Sequence, residues 1–174
     1  PFSIETYGKI ITEDYDPNLY ENGVSLSSNP FQYNPQAVKA GNHIFLLYES
    51  FNDEEMDHLF FQIYDMDLNP ISDSNGSSVY NNSTPQFNPQ IVSNEGYIYI
   101  AYSDLRDWIS YDVAVQKFDE LGNPQWGEAG VLVSLDWDDV VNAIVPLPDG
   151  GCVVFWTGGD SNIPDLNIYY QAFG

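Results

Sequence analysis

Apolar residues along this chain cluster in three short runs that follow one another at a constant interval. The runs cover residues 44–48, 98–102 and 152–156, and each begins 54 residues after the one before. Nearly every position in them is apolar, which is typical of strands covered on both faces. A fixed period of this length predicts a supersecondary unit that buries its apolar faces only by stacking on copies of itself.

Polar and turn-forming residues repeat at the same interval around these runs. Asn34-Pro35-Gln36 returns as Asn88-Pro89-Gln90, and a degenerate third copy begins at Asn142. We interpret this motif as a turn before a short first strand, and Gly41 and Gly96 as the turn into the next strand. The apolar run is then the second strand of each unit.

Two further strands complete each unit. The third strand carries a recurring glutamine within residues 59–64, 113–118 and 168–173, and the last copy has slipped by one position. An outer fourth strand is predicted around Val79 and again at residues 131–133. Four antiparallel strands in about 50 residues are the signature of a β-propeller blade.

The predicted fold is therefore all-β, a β-propeller of four-stranded antiparallel blades. Residues 1–33 are assigned to the end of a preceding blade, 34–87 and 88–141 to two whole blades, and 142–174 to a partial blade, in one continuous domain. Closed propellers hold about 4–8 blades, and this chain supplies roughly three. We expect an incomplete ring, a fragment completed by further blades of the same full-length protein or by a second chain. The first residue, Pro1, favours an excised or mature segment.

Equivalent positions of the repeat predict the core. Tyr48, Tyr102 and Trp156 end the three apolar runs, and we expect all three side chains to be buried. The recurring glutamines lie inside apolar strands, where a buried amide needs partners, so we expect structural hydrogen bonds to the neighbouring blade. These glutamines are Gln62, Gln116 and Gln171.

The net charge of the chain limits the classes of molecule that it can bind. The chain has 4 Lys plus Arg against 26 Asp plus Glu, a formal net charge of −22. Such a surface repels phosphate backbones and anionic headgroups, and no run approaches the ~20 apolar residues of a membrane helix, so neither nucleic acid binding nor membrane insertion is expected. The single cysteine, Cys152, lies in an apolar strand and is interpreted as a core residue.

The acidic loops between second and third strands are the best candidate for a binding surface. Equivalent loops of successive blades come out on the same rim of a propeller, so their side chains are expected to lie near one another. One loop also carries an arginine and a tryptophan, residue types enriched at binding sites. The alternative is a solvated acidic rim with no ligand. The candidate ligand-binding residues are Asp53, Asp57, Asp104, Arg106, Asp107, Trp108, Asp160 and Asp165.

A turn after the third strand suggests a metal site. Asp65, Asp67 and Asn69 alternate along it as oxygen ligands do in calcium loops, so calcium is the one candidate cofactor. The same residues also suit a plain hairpin turn, and the bidentate glutamate that closes a calcium loop is missing. We expect salt to stabilise this acidic chain by screening, and calcium to add a small further effect with no high-affinity site.

One copy of the repeat carries a longer set of motifs. Its segments are Asn88-Pro89-Gln90-Ile91-Val92, Tyr102-Ser103-Asp104-Leu105-Arg106, Asp112-Val113-Ala114-Val115-Gln116 and Asp119-Glu120-Leu121-Gly122-Asn123-Pro124-Gln125-Trp126-Gly127. The pattern resembles the repeats of secreted bacterial propeller-like proteins, many of them exported by type IX secretion. The preceding copy departs from it, with His58 in place of Asp112 and Ser72 in place of Trp126. The resemblance implies blades and a secreted or cell-surface location, and it specifies no reaction.

Sequence motifs of catalysis are lacking, since the chain has no HExxH, no G-x-S-x-G and no Gly-rich phosphate loop. A single arginine is too few for a sialidase-type site. A catalytic pair of carboxylates, as in glycosidases, is not excluded, because the sequence does not give the distances between carboxylates. We expect a non-catalytic secreted or cell-surface module that binds protein or glycan in adhesion or surface assembly. The alternatives are part of an extracellular carbohydrate-active enzyme with a propeller fold, or a structural repeat of a filament or surface layer.

Overall fold

The computed structural model describes residues 7–8, 24–25, 31–51, 56–73, 76–134, 137–160 and 163–174. Every regular element in these ranges is a β-strand, and neighbouring strands pair antiparallel. Within the same ranges, no helix has the length and apolar character needed to cross a membrane. The first two strands, β1 (Tyr7–Gly8) and β2 (Val24–Ser25), pair with each other in a two-stranded sheet.

Three larger sheets follow, each with its strands in chain order. The repeat predicted four-stranded antiparallel units, and the first two of these sheets confirm it. The first sheet contains β3 (Gln32–Ala40), β4 (His43–Phe51), β5 (Asp57–Tyr64) and β6 (Ser77–Ser78). The second contains β7 (Gln86–Asn94), β8 (Tyr97–Asp104), β9 (Asp112–Phe118) and β10 (Val131–Leu132). The third contains β11 (Trp137–Pro146), β12 (Cys152–Asp160) and β13 (Ile163–Phe173).

The core lies between the sheets. One apolar cluster joins the first and second sheets, where the rings of Phe61 and Phe118 lie 5.0 Å apart, and another joins the second and third sheets. Because the second sheet packs against both of its neighbours, its strand β8 is covered on both faces. Tyr48 and Tyr102 are fully buried and Trp156 is only 7% exposed, which confirms the three predicted core positions.

Hydrogen bonds between the first strands align the first sheet with the second. Gln36 Nε2 donates to the carbonyl of Pro89 at 2.6 Å, and Ser93 Oγ donates to the carbonyl of Lys39 at 2.7 Å. Both bonds join positions that are equivalent, or nearly so, in the repeat, which means that β3 and β7 run parallel and the same ends of the two sheets lie side by side.

The second and third sheets are aligned in the same way. Asn88 Nδ2 donates to the carbonyl of Val141 at 2.6 Å, and Asn94 Nδ2 donates to the carbonyl of Leu147 at 2.7 Å. Amide side chains that satisfy backbone carbonyls across the boundary fix one sheet against the next, in addition to the apolar packing.

The Asn-Pro-Gln motif lies inside the first strand, and its interpretation as a turn before the strand was wrong. The register of β3 with β4, and of β7 with β8, shifts at this motif, which is the mark of a β-bulge. Asn34 (φ 50) and Asn88 (φ 53) have the left-handed conformation that asparagine tolerates better than most residues. Pro35 and Pro89 are tolerated because β3 and β7 are edge strands of their sheets.

The recurring glutamines are structural in two of the three sheets, but their predicted partners were wrong. Gln62 Nε2 donates to the carbonyl of Asp73 at 3.1 Å, and Gln116 Nε2 donates to the carbonyl of Gly127 at 2.6 Å. Both acceptors lie on the connection between the third and fourth strands of the glutamine's own sheet, and not on a neighbouring sheet. Gln171 is exposed, on the edge strand of the third sheet.

We predict that Tyr102→Ala lowers the free energy of unfolding by about 3–5 kcal/mol, because it leaves a cavity at a fully buried site. Tyr102→Phe should stay within about 0.5 kcal/mol of the parent or exceed it, since the hydroxyl makes no hydrogen bond of normal geometry with the described residues and has only a weak contact with Arg106. The matched control is Tyr64→Phe, which removes a 2.6 Å bond to Gln62 Oε1 and should cost about 1 kcal/mol. Urea unfolding measures all three. A larger loss for Tyr102→Phe than for Tyr64→Phe would contradict the structure.

Candidate functional site

The candidate loops lie at one end of the stacked sheets, which we call the upper end. It is formed by the starts of the first strands and by the connections from second to third strands. Gln32 pairs in register with Ser50, and Gln86 pairs with Asp104, so the start of each first strand lies beside the end of its second strand. Because the first strands run parallel, the upper ends of neighbouring sheets adjoin. The described parts of these loops therefore lie at the same end of neighbouring sheets.

A row of three polar side chains crosses the upper end of the second sheet. Gln86, Asp104 and Asp112 are register partners across β7, β8 and β9, and all three are buried. Two carboxylates directly opposite each other are unfavourable when both are charged. Burial of both carboxylates therefore requires that a cation or a hydrogen-bond donor neutralise one of them, or that one of them be protonated.

Arg106 neutralises Asp104, which is completely buried. Its Nε and Nη2 both bond to Asp104 Oδ2, at 2.8 and 2.6 Å, and Nη2 also donates to the carbonyl of Ala129 at 3.2 Å. The guanidinium lies 4.9 Å from the centre of the Tyr80 ring, in a cation–π contact. Burial raises the pKa of Asp104, and the charge of Arg106 opposes that rise.

Asp112 has no such counterion. It is 3% exposed, and its Oδ1 has no hydrogen-bond partner among the described residues. Burial, followed by the charges of Asp107, Asp139 and Asp104, raises the pKa of Asp112 to about 6. The group is thus partly protonated in mildly acidic solution, which is the property of a carboxyl that can donate a proton.

The β8–β9 connection presents an exposed aromatic ring on a fixed backbone. Trp108 is 56% exposed, and its φ of 61 is the left-handed conformation that bulky residues rarely adopt. Asp107 Oδ1 holds the turn by accepting from the backbone N–H groups of Ile109 at 2.8 Å and Ser110 at 3.1 Å. These two N–H groups also lower the pKa of Asp107. The backbone that carries the ring is therefore held by its own turn.

The other predicted residues that the structure describes lie in other parts of the upper end. Asp57 begins β5 and accepts a short hydrogen bond from Tyr33, whose pKa is raised by burial and by this carboxylate. Asp160 ends β12 and Asp165 lies in β13, while Asp53 lies outside the described residues. The structure thus brings Asp104, Arg106, Asp107 and Trp108 together in one connection, and it places Asp57 in the neighbouring sheet.

Sequence reasoning missed Asp112, Gln86 and Asp139 as members of this site. Asp112 was visible in the repeat, at the position that His58 holds in the first sheet, but it precedes the predicted strand of residues 113–118, and the sequence gave no sign of its burial. Asp139 is buried at the start of β11, and its side chain bonds to Ser134. Its carboxylate also contacts the backbone of Gly158, where an added Cβ would lie 1.6 Å from Asp139 Oδ1. Glycine at 158 was the one sequence signal of this contact.

The predicted metal residues form a hydrogen-bonded turn at the opposite end of the first sheet. Asp65 Oδ1 accepts from the N–H groups of Asp67 at 2.9 Å and Asn69 at 2.8 Å, and Asp65 Oδ2 accepts from Asn69 Nδ2 at 2.9 Å. Asp119 makes the same three bonds in the second sheet. Turn chemistry accounts for these residues, and within the described ranges no group of three or more His, Cys, Asp and Glu side chains could hold a metal ion. Calcium binding stays a prediction.

No protein-family model and no curated protein match the sequence. Solved structures match in fold. The GH93 alpha-L-arabinofuranosidase of Fusarium graminearum, in complex with arabinobiose, superposes with a TM-score of 0.54 at 14% identity, over 87% of this chain and 49% of that chain. A thermostable family-43 glycoside hydrolase gives 0.51 at 13% identity, over 82% and 51%. The chain spans about half the length of these structures. The likeness supports the β-propeller fold for the stacked sheets.

We predict that Asp112→Asn raises the free energy of unfolding at pH 7 by on the order of 1–3 kcal/mol. The folded-state pKa of about 6 lies above the ordinary aspartate value of 3.8, so between these pH values the folded protein binds more protons than the unfolded chain. Asp112 therefore costs stability progressively as pH rises from about 4 to about 6, and fully above that range. Urea unfolding of parent and variant from pH 3.5 to 8 measures the difference.

The control for this experiment is Asp65→Asn. Hydrogen bonds from Asn69 lower the pKa of Asp65, so this carboxylate stabilises the protein above its ordinary pKa, and the variant should be the less stable of the pair at neutral pH. A stability difference for Asp112→Asn that is constant across the pH range, or of the same sign as that for Asp65→Asn, would refute the assignment.

Calcium binding is tested by melting temperature in EDTA, in millimolar Ca²⁺, and in NaCl matched for ionic strength. We expect NaCl to raise the melting temperature of this −22 chain and Ca²⁺ to exceed it only slightly. A true site would add stability as RT ln(1 + [L]/Kd) and would lose that gain in Asp67→Ala. A calcium shift that is large and absent from Asp67→Ala would establish the site and overturn our expectation.

Proposed function

We propose that this chain is a segment of a carbohydrate-active β-propeller protein, and that its upper end contributes a glycan-binding surface. The observation that carries the proposal is Trp108, an exposed aromatic side chain on a backbone fixed by Asp107 and by the Asp104–Arg106 ion pair. A ring on a backbone that is already ordered loses less conformational freedom when a ligand binds than a ring on a mobile loop, so more of its contact energy is retained as affinity.

The chemistry of this surface suits a neutral sugar. The face of an indole packs against the C–H face of a pyranose or furanose ring, and carboxylates such as Asp107 accept hydrogen bonds from sugar hydroxyls. The net charge of −22 repels uronic acids and sulfated glycans. Uncharged oligosaccharides are therefore the preferred ligand class.

The comparisons favour a carbohydrate-active protein over the adhesion module expected from sequence. One neighbour of similar fold is an arabinofuranosidase in complex with arabinobiose and another is a glycoside hydrolase, so arabino-oligosaccharides are the first ligands to test. Because this chain spans about half of each, the proposal includes further blades from the same full-length protein or from a second chain. A secreted or cell-surface location, and membership of the type IX family that the repeats resemble, belong to the same proposal.

Two features of the upper end support other functions, namely protein binding and hydrolysis. Ile109 is 78% exposed beside Trp108, and such an apolar pair also suits contact with a protein, as the adhesion hypothesis requires. Asp104 and Asp112 form a carboxylate pair in which Asp104 is bound to arginine and Asp112 has a pKa of about 6. Hydrolysis would use such a pair, but both groups are buried, so a catalytic role needs an opening that admits substrate.

We predict saturable binding of neutral arabino-oligosaccharides to the parent chain, measured by isothermal titration, and a loss of at least ~10-fold in affinity for Trp108→Ala. The matched control is Tyr97→Ala. Tyr97 is 37% exposed and lies at the other end of β8, so its removal should leave the affinity unchanged.

Three outcomes would decide between the functions. Equal losses in the two variants, or no binding across a panel of neutral glycans, would reject the glycan-binding surface. Retention of a protein partner that requires Trp108 would favour adhesion instead. Product release from arabinan that is lost in Asp112→Asn, with binding retained, would add catalysis to binding.

A further inference from the structure

A second group of aromatic side chains lies at the upper end, on the first sheet. Phe31 and Phe51 are 40% and 43% exposed, and their ring centroids are 6.3 Å apart. The ring of Tyr33 lies 5.6 Å from that of Phe51. We call these three residues the aromatic cluster. Exposed apolar side chains that lie together are more informative than a single one, because they mark surfaces that a ligand or partner covers.

The backbone of Phe31 has the same unusual conformation as that of Trp108. Their φ angles are 57 and 61, and among the described residues these are the two aromatic residues with a positive φ. Glycine or asparagine would adopt this left-handed conformation at lower cost. A bulky, exposed side chain on such a backbone therefore indicates a role for the side chain itself.

The aromatic cluster lies on the face of the first sheet that is turned toward the second sheet. Tyr33 pairs in register with Glu49, and Phe51 pairs with Asp57, so these four side chains emerge on one face. Glu49 fixes the direction of that face, because it accepts a hydrogen bond from the backbone N–H of Asn88 in the second sheet. The cluster thus borders the boundary between the first two sheets.

The β8–β9 connection borders the same boundary from the second sheet. The N–H of Leu105 donates to the carbonyl of Pro85 at 3.1 Å, and the guanidinium of Arg106 lies over the ring of Tyr80. Both partners belong to the segment between β6 and β7, which passes from the first sheet to the second. The exposed indole of this connection and the aromatic cluster therefore flank one boundary.

Polar groups beside the aromatic cluster suit the same class of ligand as those near Trp108. Asp57 Oδ1 accepts a hydrogen bond from the hydroxyl of Tyr33, and the carboxylate is only partly buried. Its second oxygen can accept from a sugar hydroxyl, while the phenyl rings of Phe31 and Phe51 pack against C–H groups. The cluster thus offers an apolar face with a hydrogen-bond acceptor at its side.

We propose that the aromatic cluster is a second glycan contact, and that the upper end binds a chain of sugars lying across the boundary between the first two sheets. Packed sheets lie about 10 Å apart, so a ligand that contacts both Trp108 and Phe51 needs about three or more sugar units. The ligand is a neutral oligosaccharide and not a single sugar. This inference rests on the proposed glycan binding, to which it adds a minimum ligand length and a second set of contacts.

The test measures affinity against ligand length. Neutral arabino-oligosaccharides from disaccharide to hexasaccharide are titrated into the 174-residue chain in a calorimeter. We expect the affinity to rise by at least ~10-fold between the shortest and the longest ligand, because the second contact forms within a molecule that the first contact already holds.

Three variants assign this gain to the aromatic cluster. Phe51→Ala should abolish it, so that the hexasaccharide binds as weakly as the disaccharide, while the affinity for the disaccharide stays within about 2-fold of the parent. Trp108→Ala should instead weaken binding at every length. The matched control is Met66→Ala, because Met66 is 46% exposed and lies at the opposite end of the first sheet.

A further variant covers the case in which Phe51→Ala does not fold. Phe31→Gly removes a ring of the cluster and places glycine on a left-handed backbone that suits it, so the chain should fold and show the same loss of length dependence. Circular dichroism and melting temperature confirm the fold of each variant.

The inference fails, and glycan binding at Trp108 stands, if the disaccharide binds and the affinity does not rise with length. It also fails if the rise survives both Phe51→Ala and Phe31→Gly, or if Met66→Ala abolishes it equally. If no neutral oligosaccharide of any length binds, the proposed function itself is rejected together with this inference. The titration of the parent chain alone distinguishes that result from the other failures.

Discussion

Each sheet of this protein can bury its apolar strands only when another sheet lies against it. Strand β8 is apolar on both faces, and the second sheet that contains it contacts the first sheet through one core and the third sheet through another. No sheet holds enough apolar surface to form a core alone, so the stability of one depends on the position of the next. The same requirement explains why the exposed apolar side chains of β13 are informative, since their equivalents in the second sheet are completely covered.

Hydrogen bonds from polar side chains at the boundaries fix the orientation of each sheet against the next. Glu49 is buried at the boundary between the first two sheets, where it accepts from Asn34 Nδ2 at 2.6 Å and from the backbone N–H of Asn88. Burial raises the pKa of Glu49, and the bond from Asn34 opposes that rise. In the second sheet Ser103 holds the equivalent position and bonds to β11. A bulged asparagine and a polar side chain on the second strand thus recur as a joint that orients each sheet against its neighbour.

The periodicity of the sequence was enough to predict the strands and the core, but it could not predict features that depend on strand pairing and on packing between distant segments. The strands, their order and the buried Tyr48, Tyr102 and Trp156 follow from a repeat of constant length. The position of Asn34 was misread because a turn and a β-bulge both need a left-handed residue, and only pairing with β4 distinguishes them. The role of Asp112 was missed for a related reason, since its raised pKa arises first from burial between the sheets and then from carboxylates on other segments.

The acidic residues of this chain act differently at its two ends. At the end with the hairpin turns, Asp65 accepts three hydrogen bonds from its own turn and has a lowered pKa, so it remains charged and stabilises the backbone. At the upper end, Asp104 and Asp112 are buried side by side with raised pKa values, and Arg106 forms an ion pair with Asp104 but not with Asp112. The formal net charge counts all of these carboxylates as ionised. Because burial raises the pKa values of Asp104 and Asp112, their protonation at the upper end changes with pH where Asp65 stays charged. A hydrogen-bonded turn stabilises the backbone wherever two strands are connected, whereas an unpaired buried carboxylate persists only where the surrounding structure enforces it. That contrast is the physical reason why the proposed glycan-binding surface is assigned to the upper end.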